Sequence, residues 1–395
     1  MKKQLLTSAI AGCFLAASGA ASAGGAVEAL TGTDINGTKL TKDIGVDFGG
    51  WVSAGFAWNT GDPGNDVGNP ASSNGPVTFN DKDLEFMVNQ VNLFISEEAT
   101  AGDNYDLGFR ADVMYGTDSR FTQSTGLDDE LITDEHSSRY DLAIPQLYAE
   151  LYAPIANGVT IKAGHFYTII GNEVVTSPDN FFYSHAYTMQ YGEPFTHTGF
   201  LAETAVTDSI NIRLGSVLGW DNTDADANNG ANDEWNFIGG ADWTSADGAT
   251  SLTLAAVIGD SDGTNGLERW VYSVVATHDL SDSLHLLLQH DQGLQEVAGG
   301  DDEEWYGLNG YVTYDINDKT SVALRGEWFA DPSGARTGHD TEFYAVTAGV
   351  NYAVTDYLKI RPEFRYDTNV GEHTAFDGHN RDDQFLISTD LVLTF

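Results

Sequence analysis

The chain is dominated by short segments in which apolar and polar residues alternate with a period of two. Such alternation is typical of β-strands that present one face to an apolar phase and the other to water. Clusters of Gly, Asp, Asn and Ser separate the segments, as expected for turns. Each segment is long enough for the ~9–11 residues with which a tilted strand crosses a bilayer. There are sixteen of them: 45–58, 85–97, 104–116, 144–154, 158–170, 196–205, 209–220, 234–244, 250–259, 269–278, 283–292, 304–315, 319–330, 342–353, 356–367 and 384–395.

The connections between these segments alternate between long and short along the whole chain. The long ones include 59–84, 117–143, 171–195, 221–233 and 368–383, and the short ones include 154–158, 279–282, 316–319 and 353–356. An outer-membrane barrel has an even number of antiparallel strands, short periplasmic turns and long extracellular loops. A soluble β-sandwich or propeller has no reason to place every long loop at one end. Closure also removes the edges of a large sheet. The sequence therefore predicts an all-β fold, a transmembrane antiparallel β-barrel of about 16 strands.

Charged residues occupy one side of several segments, most clearly in 105–115, 319–331 and 357–367. A half-buried strand in water would show the same pattern with its charged side outside. Aromatic residues near the strand ends favour a charged side that faces a wet lumen, because they match the girdles of outer-membrane barrels. These residues are Trp58, Tyr115, Trp220, Tyr314, Tyr352 and Tyr366. An ordinary core with scattered aromatic residues is the alternative explanation for them.

The N-terminus has the features of an export signal. A basic start, an apolar run over 5–17 and the small residues of 21–23 predict a secretory signal peptide over residues 1–23. A lipoprotein box ending at Cys13 is the competing interpretation, although cleavage there would leave an unusually short apolar core. Export indicates a protein that folds beyond the inner membrane, and with the barrel pattern it predicts the bacterial outer membrane as its location.

The remainder of the chain is predicted to be an N-terminal periplasmic extension over 24–43 and the barrel over 44–395. Residues 24–43 show no strong periodicity, so a disordered arm is the default expectation and a short plug or helix inside the barrel is the alternative. The chain ends on Phe395, which closes the last alternating segment. A terminal Phe in this position is similar to the signal by which the barrel-assembly machinery recognises its substrates. Outer-membrane lipid and lipopolysaccharide are the other expected partners.

Composition excludes several classes of function. With 18 Lys+Arg against 59 Asp+Glu, the formal net charge is −41, and phosphate contacts with nucleic acid need clustered basic residues instead. Cys13 is the single cysteine, so the chain beyond it has neither disulfides nor thiolate metal sites. The ten histidines form no His-Glu-x-x-His motif, and no Gly-x-Ser-x-Gly elbow is present. We expect no enzyme and no cofactor.

Several stretches resemble the β-barrel porin-2 family. Residues 164–174 (GHFYTIIGNEV), 180–184 (NFFYS) and 192–199 (GEPFTHTG) are similar to its central signature, and 218–221, 324–331 and 361–367 resemble its later motifs in the same order. The central signature usually carries Lys where this chain has His165. The resemblance implies a Gram-negative outer-membrane porin without a defined substrate. We expect passive diffusion of small hydrophilic solutes and ions, and a poorly conducting surface adhesin or structural barrel is the alternative.

The third long connection, residues 171–195, differs from the other connections because it is apolar and aromatic rather than acidic. An apolar loop is better buried against the inner wall than exposed to water. General porins fold their third loop inward, so we expect this third connection to do the same and to narrow the channel.

Charged residues at inferred lumen positions are the candidate pore lining. The basic ones are Arg110, Lys162, Arg213, Arg325, Lys359, Arg361 and Arg365, and the acidic ones are Glu327 and Glu363 on the wall with Glu173, Asp179 and Glu193 on the third connection. Opposed charges would create a transverse field across a constriction. Replacing Arg361 and Arg365 with Ala would then make the pore more cation-selective. In the alternative, the arginines merely neutralise acidic neighbours on the wall. Acidic loops at the mouth predict a mild cation preference.

Two further hypotheses concern calcium binding and assembly. Asp224, Asp226 and Asn228 have the alternate spacing of a calcium loop, but the EF-hand register fails, so a solvated acidic loop is the better interpretation. A homotrimer is expected, as for sixteen-stranded general porins. The small residues near Gly49 and Gly50 would let neighbouring walls approach closely, unless these glycines only relieve barrel curvature.

Overall fold

A computed structural model describes residues 25–395 except 64–73, 130, 133–138, 224–234, 261–266, 372–373 and 378–379. Its strands form one closed barrel in which each strand pairs with its neighbours in sequence and β1 pairs with β16. The strands are β1 Asp47–Asn59, β2 Met87–Glu97, β3 Asp106–Gly116, β4 Asp141–Ala153, β5 Val159–Tyr167, β6 Thr196–Thr207, β7 Ile210–Val217, β8 Asn236–Thr244, β9 Thr250–Asp260, β10 Glu268–Ser281, β11 Leu284–Gln295, β12 Glu303–Asn317, β13 Thr320–Asp331, β14 Thr341–Thr355, β15 Leu358–Val370 and β16 Asp383–Thr394. The prediction of a 16-stranded antiparallel barrel is confirmed, with boundaries that differ by a few residues.

The barrel closes where the last strand meets the first. Trp51 of β1 pairs with Thr394 of β16 in antiparallel register. Beyond that pair, the backbone N–H of Gly50 donates to Phe395 O at 2.8 Å, and the N–H of Phe395 donates to Gly50 O at 2.9 Å. The terminal residue therefore takes part in closure, and no strand in the described chain is left with an unpaired edge.

Helices in the described part of the chain are short. α1 (Gly25–Thr31) and α2 (Lys39–Ile44) precede the barrel, and α3 (Ser119–Thr122) lies in the second long connection. Within these ranges no helix has the length and apolar character needed to cross a membrane. α2 ends at Gly45, whose φ of 76° suits a left-handed C-cap. The two N-terminal helices lie at the barrel end that carries the short connections, where Asn36 bonds the backbone of Phe48.

Side chains alternate between the outside and the inside of the wall. In β15, Phe364 and Tyr366 are exposed, whereas Arg365 and Asp367 are fully buried. Five of the six predicted girdle residues point outward with 42% to 49% exposure: Trp58, Tyr115, Tyr314, Tyr352 and Tyr366. The prediction is wrong for Trp220, which packs at 5.9 Å against the buried ring of Trp305 inside the barrel. Trp220 follows the end of β7 at Val217, so strand alternation no longer decides where it points.

Most of the apolar core lies inside the barrel, towards the end that carries the long connections. Strand residues such as Ile238, Phe329 and Phe343 pack there with Ile170 and Tyr187, which follow β5 in sequence. Such packing requires that the segment after β5 enter the barrel and supply part of an internal core.

Aromatic rings of the same chain fill the space beside the glycines near the start of β1. A Cβ on Gly49 would lie 2.5 Å from the ring of Phe94, and a Cβ on Gly50 would lie 2.8 Å from the ring of Phe395. At both positions the missing side chain makes room for an intramolecular contact. These two glycines therefore give no specific support for close approach of a second barrel.

Candidate channel and the third connection

The third connection leaves the wall after β5 and returns to it at β6, but it contacts strands on the opposite side of the barrel. It includes a 3₁₀ turn at Ser177–Asp179 and a π-helical turn at Thr188–Gly192. Gln90 of β2 donates to Val175 O at 2.7 Å, and Asn172 N–H donates to Gln289 of β11 at 3.2 Å. Contacts to strands so far apart in the closed order can form only through the barrel interior.

Arginines of β13 and β15 hold the third connection by its backbone carbonyls. Arg325 donates to Ser184 O at 2.8 Å. Arg361 donates to Ser177 O at 2.8 Å and Asn180 O at 2.7 Å. Arg365 donates to His185 O at 2.5 Å. A guanidinium has several fixed donors, so each arginine can bond the connection and still pair with an acid.

Carboxylates bond the N–H groups of the same stretch. Glu363 accepts from Tyr183 N–H at 2.9 Å, and Glu327 accepts from Tyr187 N–H at 2.6 Å. Glu173, within the third connection, accepts from Ala186 N–H at 2.7 Å and from Arg325 at 2.6 Å. Burial alone would raise the pKa of Glu173, but Arg325 and His185 lower it well below its usual range. Glu173 is therefore ionised where it meets Arg325.

The remaining predicted residues of this region belong to the third connection or contact it. Lys359 donates to Pro178 O at 3.0 Å. Asp179 accepts from the hydroxyl of Thr176 at 2.5 Å. Glu193 accepts from Gln289 at 2.7 Å, and burial, with the neighbouring Asp291, raises the pKa of Glu193 well above its usual value.

Eight of the twelve candidate residues thus lie at one contact between the third connection and the wall: Glu173, Glu193, Arg325, Glu327, Lys359, Arg361, Glu363 and Arg365. Asp179 is exposed and lines a cavity instead. Arg325 and Arg365 have no exposed surface, and Arg361 is 2% exposed. The arginines also pair with wall acids, as in Arg361–Asp390 at 2.9 Å and Arg365–Asp367 at 2.7 Å. Direct contact leaves no water gap between these charges, and such a gap is what a transverse field across a constriction requires.

Arg110, Lys162 and Arg213 lie on another part of the wall, formed by β3, β5 and β7. Arg110 pairs with Asp112 at 2.6 Å, and Arg213 pairs with Asp242 at 2.6 Å. Lys162 and Arg213 line an open cavity of about 410 Å³ between the third connection and the wall. Since Lys162 follows the start of β5 and Asp242 precedes the end of β8, the cavity lies towards the short-connection end.

The first long connection also packs inside, which the sequence analysis did not predict. Phe79 is 1% exposed, and its ring lies 4.4 Å from that of His185. Thr78 donates its hydroxyl to Gln190 at 2.6 Å, and Tyr191 donates its hydroxyl to Pro76 O. The only hint in the sequence is the short apolar stretch 76–79 within an otherwise polar connection.

The calcium-loop candidates Asp224, Asp226 and Asn228 lie outside the described residues. Among the residues that the structure does describe, no group of three or more His, Cys, Asp or Glu could hold a metal ion.

The sequence of residues 45–395 matches the family model of beta-barrel porin-2, OmpL-like proteins. The chain belongs to this family. The match covers the whole barrel of this porin-2 protein, and it confirms the resemblance seen in the sequence motifs. No curated protein matches the chain.

Several solved outer-membrane proteins share the fold. The outer membrane channel DcaP of Acinetobacter baumannii has a TM-score of 0.59 and 13% identity, with 89% of this chain and 97% of that chain covered. An anion-selective porin from Comamonas acidovorans has a TM-score of 0.57 and 11% identity, covering 89% and 99%. The trimer form of OmpT from Vibrio cholerae has a TM-score of 0.55 and 12% identity, covering 89% and 99%. At these identities the likeness concerns the fold alone. Family and fold together indicate an outer-membrane channel of the porin type rather than an enzyme.

Proposed function

We propose that this porin-2 barrel lets small hydrophilic solutes and ions diffuse passively through the outer membrane. The observation that carries the proposal is the open cavity beside the third connection, which is lined by Lys162, Glu203 and the hydroxyl groups of Thr253, Thr277 and Thr313. Apolar side chains such as Phe166 and Leu201 complete the lining. An interior that carries charged and hydroxyl groups, inside an apolar outer band, is the arrangement of a diffusion channel. The solute gradient supplies the free energy, so transport needs no cofactor.

The position of the third connection favours a narrow channel on one side of the barrel. It is held against β11, β13 and β15, so the open space remains next to β4–β10 and β12. Lys162, Glu203 and Arg213 are then the pore-lining residues, and the buried arginines Arg325, Arg361 and Arg365 act by fixing the third connection. This assignment divides the predicted pore-lining residues into two roles.

A mild cation preference is part of the proposal. The exposed acids at the long-connection end include Asp301, Asp302, Asp340 and Asp382. A negative mouth concentrates cations over about a Debye length, ~8–10 Å at moderate salt. The Comamonas porin of the same fold is named anion-selective, so the fold does not decide the sign and the charges of this chain must.

Conductance tests the function. The purified barrel, inserted in a planar bilayer, should give discrete steps of ion current, and liposomes that contain it should swell in isotonic solutions of small neutral solutes. A folded barrel that gives neither would contradict a porin. It would instead favour the adhesin or structural barrel. The packed first and third connections would then fill most of the interior of such a barrel.

A further inference from the structure

Four charged residues alternate in sign along one wall of the cavity. They are Lys162 on β5, Glu203 on β6, Arg213 on β7 and Asp242 on β8, and all four line the open space. Glu203 lies directly opposite Arg213 in the ladder of β6 and β7. We name these four residues the charge belt. Because consecutive strands carry opposite signs, the belt has no net charge but a strong local pattern.

Two members of the charge belt form an ion pair with each other. Arg213 donates to Asp242 at 2.6 Å, and their side chains are only 10% and 1% exposed. This pair therefore closes one end of the belt and leaves little for a solute to reach.

Lys162 and Glu203 are the accessible members. The nearest carboxylate oxygen to the Lys162 ammonium is that of Glu150 at 3.9 Å, and the ammonium lies 4.3 Å from the ring centroid of Tyr148. Its side chain is 29% exposed. Glu203 is exposed and accepts one bond from Asn211 at 2.9 Å. A mobile solute can therefore approach both charges from the cavity.

The spacing of these two charges suits a solute with both signs. Thr160 is the ladder partner of Glu203 and Leu201 that of Lys162, so Lys162 and Glu203 are diagonal neighbours. Diagonal positions on adjacent strands lie ~7–8 Å apart on the same face. A cationic solute is attracted by Glu203 and repelled by Lys162, and an anionic solute meets the reverse. A zwitterion gains at both ends, while a neutral solute gains at neither.

We propose that the charge belt makes this cavity a subsite for small zwitterions with a carboxylate and an ammonium group. The carboxylate would face Lys162 and the ammonium would face Glu203. Asp179 of the third connection lines the same cavity and adds a second acid, whereas Glu173 is engaged by Arg325. The inference deepens the proposed porin function and rests on it.

The test compares four solutes that share one carbon skeleton in liposome swelling at neutral pH. Alanine is the zwitterion, lactamide the neutral analogue, lactate the anion and alaninamide the cation. Two partly exposed ion pairs of ~0.5 kcal/mol each correspond to a preference of about five-fold. We therefore expect alanine to enter about five-fold faster than lactamide. Lactate and alaninamide should show no comparable gain.

One double variant separates the charged groups from the net charge. Lys162→Met with Glu203→Gln removes both charged groups and keeps the net charge of the chain. It should bring the alanine-to-lactamide ratio, measured within that variant, close to one. Lys319→Met, in a short connection remote from the cavity lining, is the matched control and should keep the ratio. Heat-modifiable migration in SDS gels checks that each barrel is folded.

The outcomes distinguish the two proposals. No lactamide entry through a folded wild-type barrel would contradict the porin function, and the zwitterion subsite would fall with it. Lactamide entry with an equal alanine rate would overturn the subsite alone. A preference for alanine that survives in the Lys162→Met, Glu203→Gln variant would also overturn it, because the charge belt would not be its cause.

Discussion

Arg365 shows how one buried charge can position a whole connection. Its guanidinium bonds Asp367 at 2.7 Å and His185 O at 2.5 Å, and lies 3.2 Å from Glu327. The side chains of Arg365, Asp367 and Glu327 have no exposed surface. Taking charges out of water is costly, so a buried charge is stable only when oppositely charged and hydrogen-bonding groups surround it. Strand alternation predicted Arg365 as a pore-lining charge, whereas its contacts hold the third connection against the wall.

Replacing Arg365 with Met should therefore lower the stability of the barrel more than it changes ion selectivity. Loss of one partner from a buried ionic cluster costs about 3–5 kcal/mol, because the remaining charges are left uncompensated. Urea unfolding of the purified barrel measures this. Arg381→Met is the control, since Arg381 and Asp383 form an exposed pair at 3.5 Å that is worth at most about 1 kcal/mol. Equal losses for both variants would contradict the anchoring role.

Asp221 predicts a pH dependence. It accepts bonds from Phe195 N–H at 3.0 Å and Thr196 N–H at 2.7 Å, but burial raises its pKa to about 6. A carboxyl with a higher pKa in the folded state than the ~3.9 of an unfolded chain contributes most below pH ~4. That contribution is lost as the pH rises to about 6, and it amounts to ~3 kcal/mol at most.

The variant Asp221→Asn keeps an oxygen acceptor and cannot ionise. We expect the stability of the native barrel, relative to this variant, to fall between pH 4 and 6, which unfolding curves at several pH values would show. Glu173 has the opposite effect on the pH dependence of stability, because its lowered pKa stabilises the fold at pH values above the usual pKa of a Glu. The effect is the same in both proteins, so comparing them cancels it. Parallel stability curves for the two proteins would show that Asp221 titrates normally.

At the scale of elements, the third connection fills space that the strands alone would leave to water. It contacts β2, β11, β13 and β15 through backbone bonds. Its rings pack with those of the wall, as Tyr187 does with Phe343 at 4.8 Å. This combination of bonds and packing indicates a fixed element rather than a freely moving one.

Deleting residues 174–190 should raise the single-channel conductance, because the deletion removes the element that occupies the cross-section. The wall arginines would keep Asp367 and Asp390 as partners in the hydrated lumen, so the barrel should still close. Planar bilayer recording measures the change. Removing the exposed stretch 298–301 between β11 and β12 is the matched control and should leave conductance unchanged. Unchanged conductance in the folded 174–190 deletion would mean that the third connection does not limit the channel.

At the scale of the whole molecule, the distribution of charge predicts selectivity. The chain carries a formal net charge of −41, and exposed acids lie on the long connections. Reversal potentials in a KCl gradient should show mild cation preference at low salt that weakens as salt shortens the Debye length. Anion preference at low salt would reject the mouth as the selector and point to Lys162 within the cavity.

A homotrimer remains the expected assembly. The sixteen-stranded porin architecture supports it. Gly49 and Gly50 do not support it, since Phe94 and Phe395 of the same chain fill their space. Native mass measurement in mild detergent should give three chains per particle, and a monomer at every concentration would reject the trimer.

The sequence alone determined the strand number, the antiparallel order and the alternation of long and short connections. These follow from local patterns, because side-chain alternation and turn residues act within a few positions of each other. It also identified which positions face inward, so that Arg110, Lys162, Arg325 and Arg365 were all assigned to the lumen side. A resemblance in short motifs was enough to indicate the family.

Only the tertiary structure decided which of these inward charges meet water. Arg365 is bonded to His185, 180 residues away in sequence, whereas Lys162 opens onto the cavity. Strand alternation is the same for both residues, so it cannot separate them. The difference arises from the path that the third connection takes across the barrel, and that path depends on contacts with several distant strands at once. The same reason explains why alternation placed Trp220 wrongly and did not predict the position of Phe79. Both residues lie beyond the strands in segments that fold back inside.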